Sequence, residues 1–131
     1  MYFPLTHSLV IAKYQESYLL VYDKWKNQWE VPGGMIESGE TPRQCARREL
    51  YEETNQITNN LVFCGIMKFL LKPRDIIEFG ALYSVRLGCI NEFTRNDEIE
   101  EVVYWDRLTD IGYVNEIDKK LLEYYHEVNC I

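Results

Sequence analysis

The sequence has few residues of the kinds that mark disulfide-rich, zinc-binding or membrane-spanning proteins. Its four cysteines are widely spaced and form no Cys-x-x-Cys pair, and only two histidines accompany them. This pattern disfavours a zinc site and fits free or buried thiols in a reducing compartment. The N-terminal residues show no basic region and no sustained apolar run, so we expect neither a signal peptide nor a membrane span, and we expect a cytoplasmic location by default.

Basic residues are scarce relative to acidic ones. Lys and Arg number 14 against 21 Asp and Glu, and the formal net charge is −7. This balance argues against a nucleic-acid polymer as partner, because such a ligand requires a basic face. A polyanionic small molecule would need a cation to bridge it to an acidic site. The 131 residues, 47% of them hydrophobic, fit a single domain (1–131) without repeats or linkers.

Residues 41–55 predict a short helix with a defined signal at each end. Thr41 is suited to the N-cap and Pro42 to the first helical position, while Gln44 completes a capping box. Asn55 is suited to the end of the helix because asparagine tolerates the left-handed conformation found there.

The second half of this predicted helix is crowded with acids. At about 100° per residue, Glu49, Glu52 and Glu53 share one face within little more than one turn. Like charges at these spacings repel on an exposed helix, and a divalent cation would reverse that effect. Oxygen ligands suit Mg²⁺, with Mn²⁺ as the alternative. Arg48 can reach Glu52 one turn on, and the glycines before the helix offer accessible carbonyls.

The spacing of these residues resembles the Nudix box of the Nudix hydrolases, the MutT-like family. The matching residues are Gly34, Glu40, Arg48, Glu49, Leu50, Glu52 and Glu53, and residues 29–33 resemble the family's usual lead-in. The chain departs from the family pattern at two positions. Asn55 stands where the family has glycine, and Gln56 stands where it has an aliphatic residue, so we expect Ile57 to fill that core position. The alternative for the acids alone is a solvated helix face.

The resemblance implies an α/β fold, the Nudix α/β/α sandwich with a mixed β-sheet between helices. The apolar patterning agrees with it, because β-favouring segments lie on both sides of the helix. The predicted strands are residues 7–14, 18–22, 29–31, 61–71, 76–87 and 98–105. After Asn115 a second helix is predicted from an apolar stripe formed by Ile117, Leu121, Leu122, Tyr125 and Val128.

The resemblance also implies a function, the metal-dependent hydrolysis of a phosphoanhydride bond in a nucleoside diphosphate linked to another group. We expect a nucleoside triphosphate, including an oxidised one, as the substrate, with ADP-ribose or another nucleotide sugar as the alternative. The expected partner is thus a small nucleotide, without nucleic-acid polymer or membrane, and the chain is a monomer or homodimer. A non-catalytic nucleotide-binding module is the contrasting hypothesis. A thiol enzyme built on Cys45 is disfavoured, because no histidine lies near it in sequence.

Carried over position by position, the resemblance assigns roles to individual residues. Glu49, Glu52, Glu53 and the carbonyl of Gly33 match the metal ligands, and Glu53 also counts among the catalytic residues. Arg48 matches the arginine that orients a glutamate. Glu40 matches a box acid with a mostly supporting role.

The general base varies within the family, and two positions remain open. The base is either Glu52 in the box or an acid on a later loop, for which we choose Glu98 with Glu101 as runner-up. The alternative for the later acids is an exposed, charged entry to an edge strand.

Substrate contacts are predicted only as sets of candidates, for which surface charge and core packing are the competing explanations. The candidate phosphate contacts are Lys24, Lys26, Arg74 and Arg86. The candidate base-stacking residues are Trp25, Phe69 and Tyr83. Trp29 is predicted to lie in the core.

Overall fold

The computed structural model describes residues 4–129, and over this range seven strands form one sheet between two helices. The strands are β1 (Leu5–Tyr14), β2 (Ser17–Asp23), β3 (Gln28–Glu30), β4 (Gly33–Met35), β5 (Val62–Leu71), β6 (Ile76–Leu87) and β7 (Ile99–Trp105). The helices are α1 (Pro42–Thr54) and α2 (Glu116–Asn129). Within residues 4–129, neither helix combines the length and the apolar character that crossing a bilayer requires.

Strand β1 lies at the centre of the sheet and is covered on both faces. It pairs in parallel with β6 and antiparallel with β2 and β4, so the sheet is mixed as predicted. Its side chains alternate between two cores because successive residues of a strand face opposite sides. Val10 packs on the α1 side with Leu50, while Ile11 packs on the α2 side with Leu122. The predicted α/β/α sandwich is therefore confirmed.

Helix α1 begins and ends where its capping residues predict. The hydroxyl of Thr41 accepts a hydrogen bond from the Gln44 backbone N–H at 3.1 Å, and the Gln44 side chain accepts one from the Thr41 N–H at 2.9 Å. Pro42 occupies the first turn, and Asn55 ends the helix with φ 66°. These contacts join residues close together in sequence, which explains why the sequence predicts them.

Strand β4 was not predicted, since the sequence indicates only a tight glycine loop there. The segment Gly33–Met35 instead pairs antiparallel with β1, with Leu9 opposite Gly33 and Ser8 opposite Gly34. Two glycines in three residues give no strand periodicity, and the strand exists because β1 offers an edge to pair with. The box therefore starts from a sheet strand.

One packing prediction was wrong, and the predicted docking of α2 on the sheet through its apolar stripe was confirmed in part. Ile57 does not fill the aliphatic position of the box, because it is 65% exposed while Gln56 itself is buried, at 2% exposure. The apolar stripe of α2 docks only through its middle, where Leu122 is buried. At its two ends, Ile117 and Val128 are about half exposed.

Leu50 tests whether α1 is held by the core beneath it. Leu50→Ala should lower the free energy of unfolding by roughly 2 to 5 kcal/mol, because it removes a fully buried side chain from the α1-side core. Leu108→Ala is the matched control, since Leu108 is 89% exposed and should change stability by less than about 0.5 kcal/mol. Urea denaturation measures both. Equal losses in the two variants would contradict the packing described here.

Candidate active site

One edge of β4 is hydrogen-bonded to β1, and its other edge faces α1. Pro32 O accepts from Val10 N–H at 2.9 Å and Ile36 N–H donates to Thr6 O at 2.9 Å, so these residues bond to β1. In an antiparallel ladder every second residue turns its N–H and C=O groups away from the partner strand, and here these residues are Gly33 and Met35. Accordingly, the Gly33 N–H donates to the Glu53 carboxylate at 2.8 Å. The carbonyl of Gly33 lies on the same edge and faces away from β1.

Glu49 approaches the backbone of Gly34 closely, in space that a larger residue would share with its carboxylate. A Cβ built on Gly34 would lie 2.6 Å from the carboxyl carbon of Glu49, well inside van der Waals contact. The side chain of Glu49 is only 12% exposed. The Glu49 carboxylate is thus packed directly against the backbone of β4.

Arg48 holds the acids of the box together. Its guanidinium donates to the Glu40 carboxylate at 2.7 and 3.0 Å, to Glu52 at 3.1 Å and also to Glu49. It donates further to the Met35 carbonyl at 3.0 Å, which ties it to β4. The hydrogen bond from Arg48 lowers the pKa of Glu40 to about 2, and the same bond raises the pKa of Arg48. The arginine therefore stays charged and fixed between helix and strand.

Glu53 is the most deeply buried acid of the site, with 4% of the residue exposed. Burial raises its pKa well above the usual value, and the Gly33 N–H opposes this effect. The negative charges of Glu49 and Glu98 raise the pKa further, and burial likewise raises the pKa of Glu49. Ionised acids so close together in a poorly solvated place are unfavourable without a compensating positive charge.

These acids lie on the wall of a cleft of about 640 Å³. The predicted site residues that line it are Gly33, Gly34, Glu49, Glu53 and Glu98, and two of the predicted substrate contacts, Lys26 and Phe69, line it as well. The cleft is strongly acidic, because Glu30, Glu78 and Asp118 also face it, whereas its basic side chains are Lys26 and His7.

Other predicted site residues lie outside the cleft. The side chain of Glu52 is 55% exposed and contacts Arg48 outside the cleft, and Glu101 is exposed on β7.

Several candidate substrate contacts also lie outside the cleft. Trp25 is 74% exposed and its indole N–H donates to the Asp97 carbonyl, with Lys24 over its ring. The remaining candidates lie elsewhere: Arg74 in the β5–β6 turn, Arg86 bonded to the Gln15 carbonyl, and Tyr83 in the α1-side core. Trp29 is buried as predicted.

The box acids do not converge as their side chains stand. In residues 4–129, no three acidic, histidine or cysteine side chains meet closely enough to hold a metal ion. Arg48 draws Glu49 and Glu52 toward itself, and the Gly33 N–H holds Glu53. The helical repeat puts Glu49, Glu52 and Glu53 near one another on α1, but it does not bring their carboxylates to one point.

Cys45 lies beneath this network and is fully buried. Burial raises the pKa of its thiol to about 11, so the thiolate is scarce near neutral pH. This environment agrees with the sequence-based argument against a thiol enzyme.

Sequence reasoning missed two pairs of cleft residues. His7 and Glu78 meet across β1 and β6 at 3.3 Å. Asp118 accepts a hydrogen bond from the Val31 N–H at 3.0 Å, although 87 positions separate them. No local signal marks either contact, because each depends on how distant strands and helices pack. The one available hint was the position of Asp118 in the first turn of α2.

Asp118 gives a pH test of this environment. Burial raises the pKa of Asp118 to about 6 from an ordinary 3.8, so the native state loses stability as pH rises through that window. Asp118→Asn keeps an acceptor for the Val31 N–H and should stabilise the protein at pH 7.5 by about 1 to 3 kcal/mol. The gain should disappear near pH 4. Urea denaturation at both pH values measures it, with the exposed-turn variant Asp110→Asn as control. An equal gain at both pH values would refute the assignment.

Comparisons with known proteins match the chain by sequence and by fold. A family model described as the NUDIX domain matches residues 5–125. An RNA pyrophosphohydrolase of Bartonella bacilliformis is 46% identical over 41 residues, which are 31% of this chain and 24% of that protein. The Nudix hydrolase YvcI of Bacillus subtilis is 33% identical over 67 residues, 51% of this chain and 42% of that protein. The matches thus span less than half the length of these relatives.

Solved structures share the fold at low sequence identity. A MutT Nudix hydrolase from Burkholderia pseudomallei superposes with a TM-score of 0.78 at 14% identity, covering 92% of this chain and 96% of that one. A mutant of the Bacillus subtilis pyrophosphohydrolase BsRppH gives 0.76 at 20% identity, covering 95% and 83%. The family model spans nearly the whole chain, and the chain therefore belongs to the Nudix hydrolase family.

Proposed function

We propose that the protein is a divalent-metal-dependent hydrolase of phosphoanhydride bonds in nucleoside diphosphate derivatives, and specifically a nucleoside triphosphate pyrophosphohydrolase. One observation carries this proposal. Two acids of the box, the buried Glu53 and the partly buried Glu49, lie in a cleft beside Glu98, and desolvation raises the pKa of both box acids. A site that only had to be stable would not gather these groups.

The donor set fits a hard divalent cation, as the family generally uses. Glu49, Glu53 and the carbonyl of Gly33 would hold Mg²⁺ or Mn²⁺ from the cleft wall, and Glu52 would turn from Arg48 to join them, because all four offer oxygen. The bound cation would neutralise phosphate oxygens and stabilise the leaving phosphate. The acids outnumber the cations around them, since Arg48 is shared among Glu40, Glu49 and Glu52 and does not contact Glu53, and this supports the assignment.

The chain's own residues would orient the reaction. Arg48 fixes the carboxylates of Glu49 and Glu52, and it is itself fixed by Glu40. Glu98 is our choice of general base because it lines the cleft, whereas Glu52 and Glu101 lie outside it. Water would lose a proton to this carboxylate and form a bond to one phosphorus, and the bond from that phosphorus to its bridging oxygen would break.

The cleft also supports a small nucleotide as the substrate. Lys26 and Phe69 both line the cleft, where the ammonium would contact phosphate and the ring would stack on a base. The relative named as an RNA pyrophosphohydrolase favours a second candidate, the triphosphate at an RNA 5′ end. We favour the free nucleotide because the net charge of −7 and the acidic cleft would repel the remainder of an RNA chain.

A substrate panel tests the activity directly. With Mg²⁺, the wild type should release pyrophosphate or phosphate from at least one nucleoside triphosphate or nucleotide sugar. Glu53→Gln should lower kcat/KM at least about 100-fold, in the range expected for the loss of essential charge stabilisation. Glu123→Gln, an exposed change on α2, should leave turnover unchanged. No product from any nucleotide would refute the proposal.

Glu53 should also show opposite effects on function and stability. Since its pKa is raised by burial, ionised Glu53 destabilises the metal-free protein above that pKa, and Glu53→Gln should raise the free energy of unfolding at pH 8. Adding Mg²⁺ should raise the melting temperature of the wild type more than that of the variant. Equal shifts with Mg²⁺ would count against a metal site at Glu53.

The two triphosphate candidates can be separated by competition. A free nucleoside triphosphate should be hydrolysed with a higher kcat/KM than a 5′-triphosphorylated oligoribonucleotide with the same first base. The penalty on the oligonucleotide should shrink as salt is raised, because charge repulsion is screened. A preference for the oligonucleotide at every salt concentration would reverse the order of the candidates.

A further inference from the structure

We propose that Asn55 and Gln56, the two residues at which the chain departs from the Nudix box, are positioning residues that hold the Glu98 loop against α1. This inference rests on the proposed function, because it assumes that Glu98 acts in the reaction. The loop in question is the irregular segment 88–98 between β6 and β7, and Glu98 is its last residue.

Gln56 joins the loop through both ends of its amide group. Its side-chain nitrogen donates to the Asn91 carbonyl at 2.7 Å, and its side-chain oxygen accepts from the Asn91 N–H at 2.8 Å. The amide thus pairs with both backbone groups of one residue. Because Gln56 is 2% exposed, water competes little for these bonds. An aliphatic residue at this position, as in the family pattern, would leave the backbone groups of Asn91 without these partners.

Asn55 adds a second attachment while it ends the helix. Its φ of 66° is one that glycine would also adopt, so the backbone shape alone does not need asparagine. The side chain supplies what glycine lacks, since its oxygen accepts from the Thr94 N–H at 2.7 Å. The carbonyl of Asn55 also accepts from the Asn91 side chain at 2.9 Å.

Asn96 carries the attachment on to Glu98 itself. Its side-chain nitrogen donates to the carbonyl of Glu52 in the last turn of α1 at 3.1 Å. Its side-chain oxygen accepts from the backbone N–H groups of Glu98 at 2.9 Å and Ile99 at 2.8 Å. Asn96 therefore links the end of α1 to the backbone of Glu98, while Asn55 and Gln56 attach the earlier residues of the same loop.

These hydrogen bonds attach a loop that carries Glu98 to the helix that carries the box acids. Glu98 belongs to a loop, whereas Glu49 and Glu53 belong to a rigid helix, and loops are intrinsically more mobile than helices. The contacts fix the loop to the same helix that carries the box acids, so Glu98 keeps its place in the cleft beside them. Small displacements of a reacting group are costly to catalysis.

Gln56→Met tests the proposal because it keeps the length of the side chain and removes both hydrogen bonds to Asn91. We expect kcat to fall about 10- to 100-fold with KM changed less than about 3-fold, as for a displaced reacting group. Asn55→Gly, which keeps the backbone shape, should also lower kcat, but by a smaller factor than Gln56→Met. Leu87→Ala, at the end of β6 that pairs with Tyr14, controls for lost stability and should keep kcat.

A double-mutant cycle with Glu98→Gln separates positioning from mere loop stability. Glu98→Gln alone should lower kcat, and adding Gln56→Met to it should lower kcat by less than about 2-fold more, because Gln56 acts through Glu98. Fully additive losses, or a Glu98→Gln variant with wild-type kcat, would overturn the positioning role while leaving the hydrolase standing. A wild type that hydrolyses no nucleotide would overturn both proposals.

Hydrogen exchange gives a readout that does not depend on activity. In Gln56→Met the amides of Thr94, Glu98 and Ile99 should exchange at least about 10-fold faster, since their acceptors belong to the attachment or to Asn96 within it. Amides in the middle of α1 should be unchanged. Unchanged exchange in segment 91–99 would overturn the proposal whatever the kinetics.

Discussion

The arrangement depends on the burial of negative charge between α1 and β4. Glu53 and Glu49 are withdrawn from water and lie near Glu98, and the compensation identified for them is one backbone N–H of Gly33 and the guanidinium of Arg48. Burying ionised groups is unfavourable unless they are paired. The surroundings must therefore hold these acids in place, and a bound cation would supply the missing compensation.

The sheet and the two cores provide that restraint. Ala46 and Leu50 fix α1 to the α1-side core, and Glu49 and Glu53 lie on the flank of that same buried face, against β4. The Glu49 carboxylate occupies the space beside Gly34 that a Cβ would take. The pairing of β4 with the central strand then makes the Gly33 edge as rigid as the sheet. The packing of the cores thus determines the geometry of the acids.

Local and tertiary requirements meet at the end of α1. The left-handed residue that stops the helix can be glycine or asparagine as far as the backbone is concerned. Here the asparagine and the glutamine after it also satisfy backbone groups of the 88–98 loop, which has no strand or helix of its own. A departure from a family pattern at a helix terminus can therefore have a tertiary reason that the pattern itself does not contain.

The sequence alone determined the features that depend on neighbours along the chain. The capping residues Thr41 and Asn55 define α1 because their partners lie within four positions, and the box spacing follows from the helical repeat. The long strands, such as β5 and β6, are predicted because their apolar residues are continuous and a turn signal lies between them. The central position of the sheet between two helices follows from these elements and the family resemblance.

Only the tertiary structure decided which of the candidate residues share the cleft. Glu98 faces it while Glu52 and Glu101 do not, and the sequence left these three open because all are acids near strand or helix ends. Strand β4 exists through pairing with β1, and Asp118 reaches Val31 across 87 positions. Such contacts join segments that are far apart in the chain, so their geometry is fixed by packing and no local propensity encodes it.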